Sequence, residues 1–267
     1  MIGGKTRLFL LLGRPVVHSL SPVMQNAAFR ALGLDATYAA LDCAPEDTFA
    51  LALALAQGGG GGNATVPHKG ILAAALERPS PRVERLGSAN AFWGDGKTLV
   101  GENTDLDGVL DALTRLEAPA TTWLVVGTGG SARAVIGAAA DRGARVAVRS
   151  RVPARAAEFT AWAATIGVGA AEAAECEVLI NATPLGLVAG DALPIDAGDA
   201  PRAVAALDLV YHPGETAWVR HCRARGLRAA DGREMLVAQG AMSLERWFPR
   251  AQAPREVMRA AVARALG

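Results

Sequence analysis

The stretch TTWLVVGTGGSARAVIGAAADRGARVAVRSR spans residues 121–151, and its reading decides the fold. The apolar run TWLVV predicts a short buried strand, Arg133 to Asp141 a helix closed by Gly143, and ARVAV a second strand. Between the first strand and the helix stands Gly127-Thr128-Gly129-Gly130-Ser131-Ala132. In a nucleotide-binding βαβ unit the first glycine permits the tight turn and the second admits a pyrophosphate close to the backbone. The small third position, here Ala132, lets helix pack on strand. Amides at the helix N-terminus then favour the anionic phosphates. A glycine-rich turn without a ligand is the bland alternative, and the strand and helix on either side favour the dinucleotide.

The end of the second strand selects between dinucleotides. A site for NAD usually places Asp or Glu there, about 20 residues on, to hold a ribose 2′-hydroxyl. Here the strand ends Val148-Arg149-Ser150-Arg151, with no acid. A carboxylate repels a 2′-phosphate, whereas guanidinium and hydroxyl groups hold it by charge-assisted hydrogen bonds. The residues therefore point to NADP. The competing view is a solvated arginine face in an arginine-rich chain.

Working outward, EVLI running into Asn181 and ALDLV running into Tyr211 predict two further strands, so this part forms a parallel sheet covered on both faces. Upstream, Arg7 to Leu12 and Thr37 to Leu41 predict strands. Ser21-Pro22 opens a helix with Ser21 as its cap, and Gly33 closes it. Pro45-Glu46-Asp47 opens another helix, which stops at Gly58 to Gly62. That glycine run is either a linker or a flexible entry into a strand end. A helix follows around Ile71 to Leu76, then a hairpin over Asn90 to Gly101 turning at Asp95-Gly96. Helices near Met235 to Trp247 and Val257 to Ala265 return to the first domain. The expected plan is α/β in two domains: a substrate domain at 1–105 with a mainly parallel sheet, a Rossmann dinucleotide domain at 106–232, and C-terminal helices at 233–267.

Composition narrows the function. The chain has 267 residues, of which 51% are hydrophobic and 20% charged, and a formal net charge of +1. That balance suits folded domains. It gives no electrostatic reason for a nucleic-acid or membrane partner, and no run of about 18 apolar residues offers a membrane span. Cys43, Cys176 and Cys222 are widely spaced and read as reduced thiols of a cytoplasmic protein without a zinc or other metal site. Among 27 basic residues only Lys5, Lys69 and Lys97 are lysine, so a lysine inside a motif is less easily dismissed as a default surface charge.

Eight short motifs then occur in order: GRPVVHSLSPVMQNAAF (13–29), NATVPHK (63–69), GSANAF (87–92), GENTDLDG (101–108), GTGGSARA (127–134), NATPLG (181–186), DLVYHP (208–213) and EMLVAQGAMSLERW (234–247). In order and spacing they resemble the shikimate dehydrogenase family over nearly the whole chain. The resemblance implies an NADP-dependent enzyme of aromatic amino acid biosynthesis that interconverts 3-dehydroshikimate and shikimate, a monomer or homodimer, with its site between the domains. It implies that Ser19 and Ser21 bind the substrate carboxylate, that Asn63, Thr65, Asn90 and Gln239 bind its hydroxyls or carboxylate, and that Tyr211 stands near the carboxylate. It also implies cofactor contacts from the turn, from Arg149, Ser150 and Arg151, and from Asn181, Thr183, Gly232 and Met235. Met235 equally reads as a core filler.

Lys69 and Asp105 match the family's catalytic pair. Oxidising a secondary alcohol sends a hydride to the nicotinamide and a proton off the oxygen, and an ammonium beside that oxygen stabilises the developing charge. The alternative is a surface salt bridge, worth little. Asn103 either orients Asp105 or closes the turn, and His68 is expected to face solvent. The chain departs from the family pattern at Ala64, Ala91 (usually threonine) and Val148 (usually asparagine). Two rivals remain: a relative acting on quinate or another cyclic polyol acid, and a non-catalytic dinucleotide-binding regulator. The regulator predicts loss of the lysine–aspartate pair, which is present.

Overall fold

A computed structural model describes residues 2–267. The chain divides into two compact units, one made of the residues up to Asp105 together with Leu236–Ala265, the other of Leu106–Met235.

The first unit opens with β1 (Arg7–Gly13), α1 (Ser21–Ala31), β2 (Ala36–Asp42), α2 (Thr48–Gln57), β3 (Gly61–Ala64) and α3 (Lys69–Ala75). It continues with β4 (Arg78–Pro79), α4 (Pro81–Leu86), β5 (Ala91–Asp95) and β6 (Thr98–Glu102). The sheet order is β2-β1-β3-β5-β6-β4. β1 runs parallel to β2 and β3, and β4 parallel to β6, while β5 is antiparallel to both neighbours. The hairpin expected at Asp95-Gly96 is the β5–β6 connection, with Asp95 opposite Thr98.

Two local expectations change. Ser21 is the first residue of α1 and not its cap, because the Leu20 carbonyl already accepts the first helical bond from the Met24 amide at 3.0 Å. The glycine run is not a linker: it leads into β3, as the second reading expected, and Gly61 and Gly62 lie inside that strand between β1 and β5. A Cβ at Gly60, Gly61 or Gly62 would collide with the carbonyl oxygens of Leu8, Phe92 or Leu10 respectively. Only glycine lets this strand sit so close to its neighbours.

In the second unit α5 (Asp105–Arg115), whose first residue closes the first unit, precedes β7 (Thr122–Val126), α6 (Gly130–Arg142), β8 (Arg145–Arg149) and α7 (Pro153–Thr165). Then come β9 (Val178–Asn181), β10 (Ala205–Asp208), α8 (Ala217–Ala224) and β11 (Arg228–Ala230). The five strands are all parallel, in the order β11-β10-β9-β7-β8. Ala170 adds an isolated parallel bridge to Val146 in β8. Counted as a vestigial third strand, that bridge makes the order 3-2-1-4-5-6, as in dinucleotide-binding sheets, with the switch point between β7 and β9.

The chain ends in α9 (Arg233–Trp247) and α10 (Arg255–Leu266). Trp247 packs on Phe9 of β1 with ring centroids 4.7 Å apart, and Phe248 on Phe9 at 5.5 Å and on Phe29 of α1 at 5.8 Å. This aromatic cluster fastens the end of α9 to β1 and α1, each ring pair contributing about 0.5–1.5 kcal/mol beyond the area it buries. Among the described residues no helix is long and apolar enough to cross a membrane.

Candidate active site and cofactor turn

Lys69 is the first residue of α3 and Asp105 the first of α5. Both are buried, at 8% and 4% exposure, which removes the surface salt bridge as an explanation. Lys69 Nζ donates to Asp105 Oδ2 at 2.5 Å, and Asn90 Nδ2 donates to Asp105 Oδ1 at 2.9 Å. Each carboxylate oxygen therefore has its own donor, and the carboxylate plane is fixed. The Asn90 carboxamide also reaches Thr104 Oγ1 at 3.0 Å and Gln239 Oε1 at 3.2 Å, and its Oδ1 accepts the Thr104 amide at 2.6 Å.

Asn63 stands in β3 beside this group. Its Nδ2 donates to the Asn90 carbonyl and to Ser243 Oγ, both at 2.9 Å, and its Oδ1 accepts the Tyr38 hydroxyl at 2.8 Å. Gln239 of α9 is buried, with Nε2 donating to the Leu236 carbonyl at 2.9 Å. Thus Asn63, Lys69, Asn90, Asp105 and Gln239 form one network. Thr65 is half-buried after β3. Ser19 and Ser21 are not hydrogen-bonded into that network: Ser19 Oγ accepts the Ser21 amide at 3.2 Å, and Ser21 is buried at the start of α1.

One neighbour, His68, differs from expectation. His68 is fully buried, and its Nε2 lies 3.2 Å from the Cys43 carbonyl, an acceptor only, so that nitrogen carries the proton. The bond to Asp105 comes from Asn90, while the Asn103 carboxamide donates to the Ser88 carbonyl at 2.8 Å. Tyr38, Thr104 and Ser243 had no place in the sequence reading of the site. Ser243 had a visible signal: it stands four residues after Gln239 and so shares its helix face.

The glycine turn belongs to the second unit. Gly127 has φ +115°, which disfavours any side chain, and a Cβ there would press on the Ala182 carbonyl oxygen at 2.9 Å. The turn thereby meets the loop after β9, at the switch point. Gly129 differs: its φ is −85°, and a Cβ there meets no protein atom within 4 Å. Neither conformation nor packing demands glycine at 129, so the space its missing side chain leaves is open to a group outside the chain. Thr128 and Ser131 are half-buried, Gly130 begins α6, and Ala132 is fully buried against the sheet.

Arg149 and Arg151 are exposed, with no ion pair to an acidic residue among the described residues, and Ser150 Oγ accepts the Val152 amide at 3.3 Å. The charge balance at the end of β8 thus suits a phosphate. Asn181 is fully buried, and its Nδ2 donates to Asp208 Oδ1 at 2.8 Å and to the Leu185 carbonyl at 3.0 Å. Its Oδ1 accepts the Thr183 hydroxyl at 2.7 Å and amide at 3.0 Å. The Asn181 side chain therefore shapes the loop from Asn181 to Gly186 and has little capacity left for a direct contact. Asp208 also accepts Thr216 Oγ1 at 2.7 Å and the Val210 amide at 3.1 Å; burial holds its carboxyl above the ordinary carboxylate range despite these donors. Gly232 packs where a Cβ would strike the Leu209 carbonyl, Met235 is buried at 7% exposure, and Tyr211 is half-buried after β10. Among the described residues no cluster of His, Cys, Asp and Glu could hold a metal.

Comparison with known proteins gives this geometry a family. Residues 11–92 match the shikimate dehydrogenase substrate binding domain, and residues 232–263 the shikimate 5′-dehydrogenase C-terminal domain. The shikimate dehydrogenase (NADP(+)) of Synechocystis sp. is 36% identical over 280 residues, spanning 98% of this chain and 96% of the relative. A crystal structure of the Thermus thermophilus shikimate 5-dehydrogenase with NADP(H) and shikimate superposes with a TM-score of 0.85 at 36% identity, covering 97% of this chain and 99% of that one. The Listeria monocytogenes enzyme with shikimate and NAD gives 0.85 at 27% identity, covering 98% of each chain. With likeness of this degree along nearly its full length, the chain belongs to the shikimate dehydrogenase family.

Proposed function

We propose that this protein catalyses the reversible, NADP-dependent reduction of 3-dehydroshikimate to shikimate. The carrying observation is the buried Lys69–Asp105 pair, whose carboxylate is held on its second oxygen by Asn90. When bound, NADP supplies the acceptor or donor of the hydride. In the oxidation direction Lys69 Nζ stabilises the charge that develops on the substrate oxygen, and the hydroxyl proton passes to the Lys69–Asp105 pair. In reduction the same pair returns a proton to the ketone oxygen. Asp105 keeps Nζ in place between turnovers, and Asn90 keeps Asp105 from rotating.

In this reading residues 1–105 are the substrate domain, 106–232 bind NADP, and 233–267 complete the substrate domain. Ser19 and Ser21, near the start of α1, receive the substrate carboxylate, where short hydroxyls and a helix N-terminus favour an anion. Asn63, Thr65, Asn90, Gln239 and Tyr211 complete the substrate site. The turn from Gly127 to Ala132 cradles the pyrophosphate, Arg149, Ser150 and Arg151 take the 2′-phosphate, and Asn181, Thr183, Gly232 and Met235 border the cofactor. The three cysteines are buried and unpaired, which supports a cytoplasmic site of action.

The test is turnover of shikimate and of quinate, each with NADP and with NAD, followed by absorbance of the reduced nicotinamide. Turnover concentrated on shikimate with NADP supports the proposal. Turnover mainly on quinate moves the substrate assignment to another cyclic polyol acid, and turnover mainly with NAD overturns the role given to Arg149 and Arg151. Cofactor binding with no turnover of any pair leaves a dinucleotide-binding regulator.

A further inference from the structure

The hydroxyl groups around Asn63 decide which atom of its carboxamide keeps a free bonding position. Asn63 Nδ2 has two protons and two acceptors, the Asn90 carbonyl and Ser243 Oγ, both at 2.9 Å. A flipped amide would set Oδ1 against the Asn90 carbonyl, which has no proton to give, so the orientation is fixed by chemistry. Oδ1 already accepts the Tyr38 hydroxyl at 2.8 Å. One acceptor lone pair is all that Asn63 has left.

Ser243 is the hub of this arrangement. Its Oγ donates to the Gln239 carbonyl at 2.9 Å, so its single proton is committed. Its oxygen therefore accepts from Asn63 Nδ2 at 2.9 Å and from Thr104 Oγ1 at 3.0 Å. Thr104, having given its proton to Ser243, accepts from Asn90 Nδ2 at 3.0 Å, and Asn90 in turn holds Asp105. Ser243 and Thr104 are fully buried, and Tyr38 is 2% exposed. One hydroxyl thus ties β3, the segment before α5 and α9 together behind the residues assigned to the substrate.

We propose that Ser243, supported by Thr104 and Tyr38, is a positioning residue that locks Asn63 as an acceptor-only contact, so that the substrate group facing Asn63 is a hydroxyl and neither the carboxylate nor the ketone. The inference rests on the placement of Asn63 in the substrate site proposed above. Ser243 touches no substrate in this account; it acts through Asn63.

The experiment compares wild type, Ser243→Ala, Asn63→Ala, the Ser243→Ala/Asn63→Ala double variant and Tyr38→Phe. Kinetic constants for shikimate and NADP are measured together with hydrogen exchange of the Asn63 side-chain amide by NMR. Ser243→Ala is expected to raise the shikimate KM about tenfold, the loss of one hydrogen bond from a locked amide, with the NADP KM within about twofold of wild type. The double variant is expected to be no worse than Asn63→Ala, because both changes remove one contact. Additive losses, or an unchanged shikimate KM in Ser243→Ala, overturn the proposal. Should Ser243→Ala fail to fold, Tyr38→Phe deletes a single oxygen and is read by the same shikimate-against-NADP split. Should wild type not turn over shikimate, the functional reading fails. Amide exchange then decides the lock alone: protection in wild type lost in Ser243→Ala supports it, and unchanged exchange overturns it.

Discussion

Around Lys69 the first unit commits buried side chains to one another, whereas the second unit has a glycine turn with open space at Gly129 and two arginines that pair with no acidic residue among the described residues. The first network fixes its polar groups before anything binds: Asp105 is held on both oxygens and Asn63 on both ends of its amide. The loop that meets the cofactor turn is shaped by Asn181 and Asp208. The contrast follows from the tasks proposed for the two. A proton-handling pair must keep its geometry to a fraction of an ångström. A phosphate cradle needs aligned amides and positive charge, which a helix start and exposed guanidiniums provide.

Substitutions that attack each construction separately sharpen the contrast. Asp105→Asn places an amide that has to offer a donor to Lys69 or to Asn90, both of which are donors. Its kcat for shikimate oxidation is expected to fall on the order of 10²–10³-fold, with the NADP KM little changed. A comparable rise in NADP KM would show that the pair is not confined to the reaction. Asp208→Ala should act on the fold, since it strands three buried donors; urea unfolding is expected to show a loss of about 3 kcal/mol.

Asp208 also has a pH signature. Its carboxyl is raised by burial, so its contribution to stability is fully present below the ordinary carboxylate pKa and is lost as the pH climbs through the raised value. The stability difference between wild type and Asp208→Asn, which does not titrate at that position, should therefore shrink as the pH rises. A difference that grows with pH would contradict the burial account.

Smaller effects belong to the turn itself. Arg149→Asp should raise the NADP KM about tenfold to a hundredfold while sparing NAD, because only the 2′-phosphate loses its partner. Equal losses with both cofactors would place the arginine elsewhere on the ligand. Gly129→Ser, a residue type suited to the N-cap that Gly129 occupies, should raise the NADP KM about tenfold and leave the melting temperature where it was, since the added Cβ meets nothing within 4 Å. A lower melting temperature would return Gly129 to an ordinary structural role.

The same contrast governs what could be read from the sequence. The cofactor turn is a local feature: its glycines, the strand before it and the helix after it are consecutive, so spacing alone placed them. The alternation of strands and helices gave the parallel sheet for the same reason, although the Ala170 bridge completing its order is too short to leave a pattern. The Lys69 network is non-local. Asn63 and Ser243 stand 180 positions apart, and Asn90 and Gln239 149. Tyr38 lies outside the quoted motifs, and Thr104 and Ser243, though inside two of them, show their part in the network only when α9 packs on the first sheet. Errors arose where a local rule met tertiary packing. Ser21 has the residue type of a cap, yet Leu20 holds that position, and Gly58 to Gly62 has the composition of a linker, yet its last two glycines begin a central strand. His68, beside the exposed Val66 and Pro67, is buried under Cys43.

The most direct measurement of the central claim is kcat for shikimate oxidation by NADP in Lys69→Ala beside wild type, with KM for NADP and the melting curve recorded on the same samples. A fall in kcat on the order of 10²–10⁴-fold with an unchanged NADP KM and an intact cooperative melt is predicted. A variant that folds and turns over shikimate within about threefold of the wild-type rate would contradict the account, because the Lys69–Asp105 pair would then be a buried salt bridge with no part in moving the proton.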